Sequence, residues 1–90
     1  MSRSHLTNVQ AAALIDAHKS INHGGLKEVS AHRGTVWVGQ HPDCTQEHSS
    51  IVVTWLRYAC LLDRSGRKPT RTAIITNEGL LEIDMLGAEA

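Results

Sequence analysis

The chain has 90 residues, and its nine Lys and Arg balance nine Asp and Glu for a formal net charge of zero. That length holds one domain, and the neutral balance disfavours both a strongly basic nucleic-acid binder and an acidic, disordered chain. No apolar run approaches the ~18 residues of a bilayer span, two cysteines are too few for a disulfide scaffold, and residues 1–5 lack the apolar core of a secretory leader, so a soluble cytoplasmic domain is expected.

With no Phe and one Tyr, the core must rest on Leu, Ile, Val, Ala and the two tryptophans, Trp37 and Trp55. Residues 1–6 are expected to lie outside the folded unit. Residues 7–22 predict a helix. Thr7 with Gln10 three residues on forms a capping box, and Leu6 is placed to staple onto Ala11. Val9, Ala13, Leu14, Ala17 and Ile21 supply its apolar stripe. The paired glycines of Asn22-His23-Gly24-Gly25 then stop the helix, because glycine tolerates the left-handed backbone of a helix exit.

Thr35-Val36-Trp37-Val38 predicts a short strand, being β-branched and aromatic. Leu26-Lys27-Glu28-Val29-Ser30 either pairs with it across residues 31–34 or forms one helical turn. Gly39-Gln40-His41-Pro42-Asp43 reads as a loop, with Pro42 restricting His41 to an extended backbone. Residues 47–62 predict the second helix. Its core face is read as Ile51, Trp55, Ala59 and Leu62, with Val52, Leu56 and Cys60 beside them. Ser50, Thr54, Arg57 and Tyr58 then face outward.

Residues 63–71 form a polar tip with Gly66 and Pro69. Thr72-Ala73-Ile74-Ile75 follows as a strand, and Leu61-Leu62 begins its partner. Thr76 caps a last helix, with Glu78 in the first turn where the helix dipole favours an acid, and Gly87 ends it. The expected architecture is one α+β domain with three main helices and a two- or three-stranded antiparallel sheet.

From residue 47 the predicted order is helix, strand, basic hairpin tip, strand, Thr-capped helix. Thr54-Trp55-Leu56-Arg57-Tyr58-Ala59-Cys60-Leu61-Leu62 and Arg71-Thr72-Ala73-Ile74-Ile75-Thr76-Asn77-Glu78-Gly79-Leu80-Leu81 carry the pattern. Over residues 47–86 the chain resembles the winged helix-turn-helix family of DNA-binding domains. That family commonly shows a recognition helix ending in an apolar turn, a wing, and a strand running into a Thr-x-x-Gly helix start. It also carries a helix before the recognition helix. Here residues 27–46 contain Trp37, Pro42 and glycines instead, so that helix is short or a strand pair replaces it.

The resemblance implies a small winged-helix-like fold and a transcriptional regulator or architectural factor that binds double-stranded DNA. Helix 47–62 would offer Ser49, Ser50, Thr54 and Arg57 to the major groove. The wing, residues 63–71, would bring Arg64, Arg67, Lys68 and Arg71 to flanking phosphates. The charge distribution agrees: residues 57–71 hold five of the nine positive charges and one acid, whereas residues 77–90 hold four acids and no base. One short reading helix gives little affinity alone, so a homodimer is expected. Leu80, Leu81, Ile83, Met85 and Leu86 spread apolar surface around the last helix for that contact, with Leu14 and Ile15 of the first helix.

The alternative function is a small protein-interaction or inhibitor domain of mobile-element origin, with a protein partner and no nucleic-acid target. A third is a metal-binding module, since His41-x2-Cys44-x3-His48, with His32 upstream, has ligand-like spacing. Only one cysteine lies there, and paired knuckles are missing, so no metal and no cofactor are expected. Cys44 with His41 or His48 would make a nucleophile and base only at hydrogen-bond distance with an oxyanion partner. No GxSxG, P-loop, GxGxxG or HExxH motif occurs, and an enzyme is not expected.

Overall fold

The computed structural model describes residues 6–32, 34–68 and 70–89. In chain order it contains α1 (Asn8–Lys19), β1 (Leu26–Ala31), β2 (Gly34–Gly39), β3 (Glu47–Ser49), α2 (Ser50–Tyr58), β4 (Leu62–Ser65), β5 (Thr72–Ile75) and α3 (Asn77–Glu89). The α+β class and three helices agree with expectation. The sheet has five antiparallel strands, in the order β3-β2-β1-β5-β4, rather than two or three.

The capping box forms at α1. The Gln10 backbone N–H donates to Thr7 Oγ1 at 3.2 Å, and the Thr7 N–H donates to Gln10 Oε1 at 3.0 Å. Ala13, Leu14 and Ala17 are buried, and Leu6 packs against the core from outside the cap. The helix stops at Lys19, short of residue 22, and both Val9 in its first turn and Ile21 beyond its end are exposed. Gly25 adopts a left-handed backbone, and a Cβ there would strike the Ala73 carbonyl of β5. A side chain would thus push the α1–β1 connection off the sheet.

Residues 26–31 form a strand, not a helical turn, in full hairpin register with β2 from Leu26↔Gly39 to Ala31↔Gly34. Strand alternation puts Leu26, Glu28, Trp37, Gly39, His48, Leu62, Ala73 and Ile75 on one face, and all eight are buried. The helices pack on this face. Val53 and Leu56 of α2 and Ala13, Leu14 and Ala17 of α1 join one apolar cluster with Leu26, Trp37, Leu61, Leu62, Ala73 and Ile75. Leu80 and Ile83 of α3 close over the same cluster. A Cβ on Gly79 would meet the Leu61 carbonyl and the Ile75 side chain, so glycine lets α3 start against β5.

Two polar pairs are buried within this layer. His48 Nε2 lies 2.6 Å from Asp16 Oδ2 and ties β3 to α1. Arg71 grips Glu28 with two side-chain bonds, Nε to Oε1 at 2.9 Å and Nη2 to Oε2 at 2.8 Å, and its backbone N–H also donates to Oε1. The Arg71 guanidinium also lies 5.6 Å from the Trp37 ring centroid.

Three expected boundaries move. Residues 47–49 are an edge strand on β2, so α2 begins at Ser50, capped by Ser49, whose side chain accepts from the Val52 N–H. The helix ends at Tyr58 in a left-handed turn at Cys60, φ 65°. There the Leu61 N–H reaches the Leu56 carbonyl and the Cys60 N–H reaches that of Arg57. Those two bonds satisfy carbonyls the last helical turn leaves open. At the other end, Thr76 Oγ1 accepts from the Gly79 N–H and donates to the Cys60 carbonyl, capping α3 as expected. That helix runs through Gly87 to Glu89 instead of ending at the glycine.

Candidate nucleic-acid interface

The strand registers bring three separate segments to one end of the sheet. β1 and β2 meet there at their turn, after Ala31 and before Gly34. β3 runs antiparallel to β2 and delivers α2 at the same level. Ser49 pairs with Val36, and Ser50 Oγ donates to the Thr35 carbonyl at 3.2 Å. β5 runs antiparallel to β1, with Thr72 opposite Lys27 and the Glu28 N–H bonded to the Arg71 carbonyl. The β4–β5 tip therefore projects beyond Arg71 toward the β1–β2 turn. The first turn of α2, the β1–β2 turn with His32, and the tip holding Arg67 and Lys68 share this end.

The residues expected to touch DNA divide by what holds them. β4 runs to Ser65, so the tip is residues 66–71 rather than 63–71. Arg67 and Lys68 are exposed, Arg57 is exposed near the end of α2, and Arg64 is half-buried on β4. Among the described residues, none of these four lies within ion-pair distance of a carboxylate. Burial, followed by the fields of Arg71 and Arg57, lowers the Arg64 guanidinium from its ordinary value.

Arg71 is different: both edges of its guanidinium engage the buried Glu28 carboxylate, and it acts as an internal brace. Ser49 is committed to the α2 cap and Ser50 to the Thr35 carbonyl. Thr54 is half-buried beside the outward face. Of the eight residues, Arg57, Arg64, Arg67 and Lys68 carry charge with no ion pair among the described residues, and the Arg57 guanidinium lies 5.8 Å from the Tyr58 ring centroid.

The orientation of α2 corrects the expected core face. Val53 and Leu56 point inward, while Ile51 is 82% exposed, Trp55 42% and Tyr58 76%, and Ala59 and Cys60 are also exposed. At 100° per residue, Ile51 and Tyr58 lie almost opposite the Val53–Leu56 direction, with Trp55 and Thr54 to either side. Ile51, Trp55 and Tyr58 therefore line the outer surface of the helix. Trp37, buried to 1% exposure, is the core tryptophan. The i, i+4, i+7 spacing of Ile51, Trp55 and Tyr58 was visible in the sequence, but the same spacing fits a core stripe.

Other candidate residues lie elsewhere. Cys44 Sγ is 3.7 Å from Ser20 Oγ and 3.9 Å from the Asp16 carbonyl oxygen, while His48 is paired with Asp16. His41 Nδ1 accepts from the Asp43 N–H at 3.0 Å, and its ring meets that of His23 edge-on. Among the described residues, no three His, Cys, Asp or Glu side chains converge to hold a metal ion. A groove of about 520 Å³ beneath the end of α2 sets Arg57 against two acids, Asp63 and Glu78. On α3, Leu81 is 63% exposed, whereas Leu80 and Ile83 face the core. On α1, Leu14 is fully buried and Ile15 is 40% exposed. No helix among the described residues is long and apolar enough to cross a membrane. Comparison with models of known protein families, with curated proteins and with solved structures finds no match.

Proposed function

We propose that this chain is a DNA-binding domain that docks on duplex DNA with α2 and the β4–β5 tip, as a transcriptional regulator or architectural factor. The observation that carries the reading is that the first turn of α2, leaving the β3 edge, and a tip holding Arg67 and Lys68, at the β5–β4 edge, lie at the same end of the sheet. Arg57 and Arg64 extend that cationic surface along the side. In the winged-helix reading β4 and β5 form the wing, β1 completes a β1-β5-β4 sheet, and Thr76 starts the helix after the wing. The β2–β3 strands stand where that family carries a helix before the recognition helix, so the phosphate contacts of that helix must come from the wing. Phosphate contacts set position and affinity, and the exposed face of α2 lies against base edges.

Anisotropy of a labelled duplex of roughly 20 base pairs, about two helical turns, tests this reading. The chain with both Arg67→Ala and Lys68→Ala is expected to melt like the parent, because both side chains are exposed, and to bind roughly tenfold more weakly. Unchanged affinity would contradict the role assigned to the tip. A second copy joined through α3, where Leu81 stands exposed, would place a second reading helix about one DNA turn away. Leu81→Glu is expected to convert a dimer to a monomer in sedimentation at micromolar concentration; a parent that already sediments as a monomer contradicts the dimer.

A protein-interaction domain is the second reading, favoured by the exposure of Ile51, Trp55 and Tyr58. Tryptophan, tyrosine and arginine dominate protein hot spots, and Arg57 borders this line.

A further inference from the structure

Strand register sets a row of polar side chains side by side across the buried face of the sheet. Glu28 of β1 stands opposite Trp37 of β2, and Trp37 stands opposite His48 of β3. Arg71 closes the row at one end on Glu28, and Asp16 of α1 closes it at the other on His48. Trp37 and His48 are each 1% exposed. Two of their nitrogens, Trp37 Nε1 and His48 Nδ1, are buried and bond no other group among the described residues. Leaving a buried polar group unpaired costs free energy, and the great majority in folded proteins have a protein or water partner.

The two nitrogens are chemically complementary. The indole N–H only donates. His48 Nε2 lies 2.6 Å from Asp16 Oδ2, and a carboxylate accepts, so the proton of the neutral ring sits on Nε2 and Nδ1 is an acceptor. Side chains directly opposite on one face of antiparallel strands stand ~4.5–5.5 Å apart at Cβ, and a group bonded to both nitrogens would hold them up to ~6 Å apart, two bond lengths. That group must accept from Trp37 and donate to His48. An anion does not donate and a cation does not accept, whereas water does both. We propose that one internal water molecule is bound between Trp37 Nε1 and His48 Nδ1. It ties the three-residue strand β3, which leads directly into α2, to the ring at the centre of the core. The site stands apart from duplex binding and needs no nucleic acid.

Magnetic resonance of the isotope-labelled chain tests the site. The Trp37 indole N–H is expected to show a rotating-frame cross-peak to water, with the sign of close contact rather than of proton exchange. The two His48 nitrogens are expected to differ, with a protonated Nε2 and a bare Nδ1. In Trp37→Phe, which keeps a ring in the core, the water loses one of its two anchors. The Nδ1 resonance is then expected to move toward that of an unbonded nitrogen.

A Trp37 indole without that cross-peak would overturn the proposal. So would a proton on His48 Nδ1, which sets two donors against each other. Scalar coupling between Trp37 Nε1 and His48 Nδ1, the mark of a direct bond, would overturn it too. An Nδ1 resonance unmoved in Trp37→Phe would show that the two residues share no water. None of these outcomes bears on duplex binding, so the two readings fail separately.

Discussion

Replacing Trp37 with alanine is expected to destabilise the domain by ~3–5 kcal/mol, the range for a large aromatic removed from a core. Trp37 is 1% exposed, packs in the apolar cluster between the sheet and the helices, and has the Arg71 guanidinium 5.6 Å from its ring centroid. A domain of this length has a total stability on the order of 5–13 kcal/mol, so such a loss leaves little margin. Trp37→Phe is expected to be far milder, since it keeps most of the ring and removes an indole N–H that bonds no other group among the described residues. Trp55→Ala is expected to shift stability by less than about 1 kcal/mol, because nearly half of that side chain already meets solvent. Thermal melts of the three variants separate these cases; a Trp55 variant that falls as far as the Trp37 variant would contradict the orientation of α2.

The second large effect belongs to the Glu28–Arg71 pair. Arg71→Met leaves a carboxylate buried at 2% exposure with no counter-ion, which the low-dielectric interior penalises. At pH 7 this variant is expected to show the largest destabilisation of any charge removal in the chain. Hydrogen bonding from Arg71 is the main reason the Glu28 carboxyl sits below its ordinary value of 4.5. A depressed carboxyl stabilises the fold fully above about pH 4.5 and loses that contribution as pH falls through its lower folded value. The parent should therefore weaken in that acid window. Without Arg71, burial raises the Glu28 carboxyl against only the weaker field of Lys68. The variant should then gain stability relative to the parent as pH falls from 7 toward 4.5. Melting both proteins across this range checks the account; parallel curves would show that the pair does not carry the linkage.

What the sequence disclosed follows from the range over which each signal acts. The α1 capping box and the Thr76 cap depend on residues three apart, and both form; the β1–β2 hairpin, which the sequence leaves open against a helical turn, pairs Leu26 with Gly39, a longer span. The α2 face misled because the helix carries two apolar lines, Ile51–Trp55–Tyr58 and Val53–Leu56. Periodicity gives an apolar direction without saying which direction meets the sheet. Running the helix on to residue 62 strengthened the wrong line, because it brought Leu62 into register with Ile51 and Trp55. Leu62 is in fact the first residue of β4.

β3 escaped notice for a related reason. Glu47-His48-Ser49 has neither β-branched nor aromatic residues, and it is held by its pairing with β2 and by His48 on Asp16. The two buried polar pairs join residues 32 and 43 positions apart, beyond any local pattern. For the same reason Arg71 reads in the sequence as one more wing cation. Only the fold shows that Glu28 occupies it, leaving Arg57, Arg64, Arg67 and Lys68 as the charges a polyanion would meet.

Those four cations make the salt dependence of duplex binding the most direct measurement of the central claim. Each phosphate contact releases counterions and contributes about −0.9 to the slope of log K against log salt. Four contacts predict a slope of roughly −3 to −4, or about a hundredfold loss of affinity between about 50 and 200 mM salt. A slope near zero, or no binding at the low-salt end, would contradict the assignment of this face to DNA.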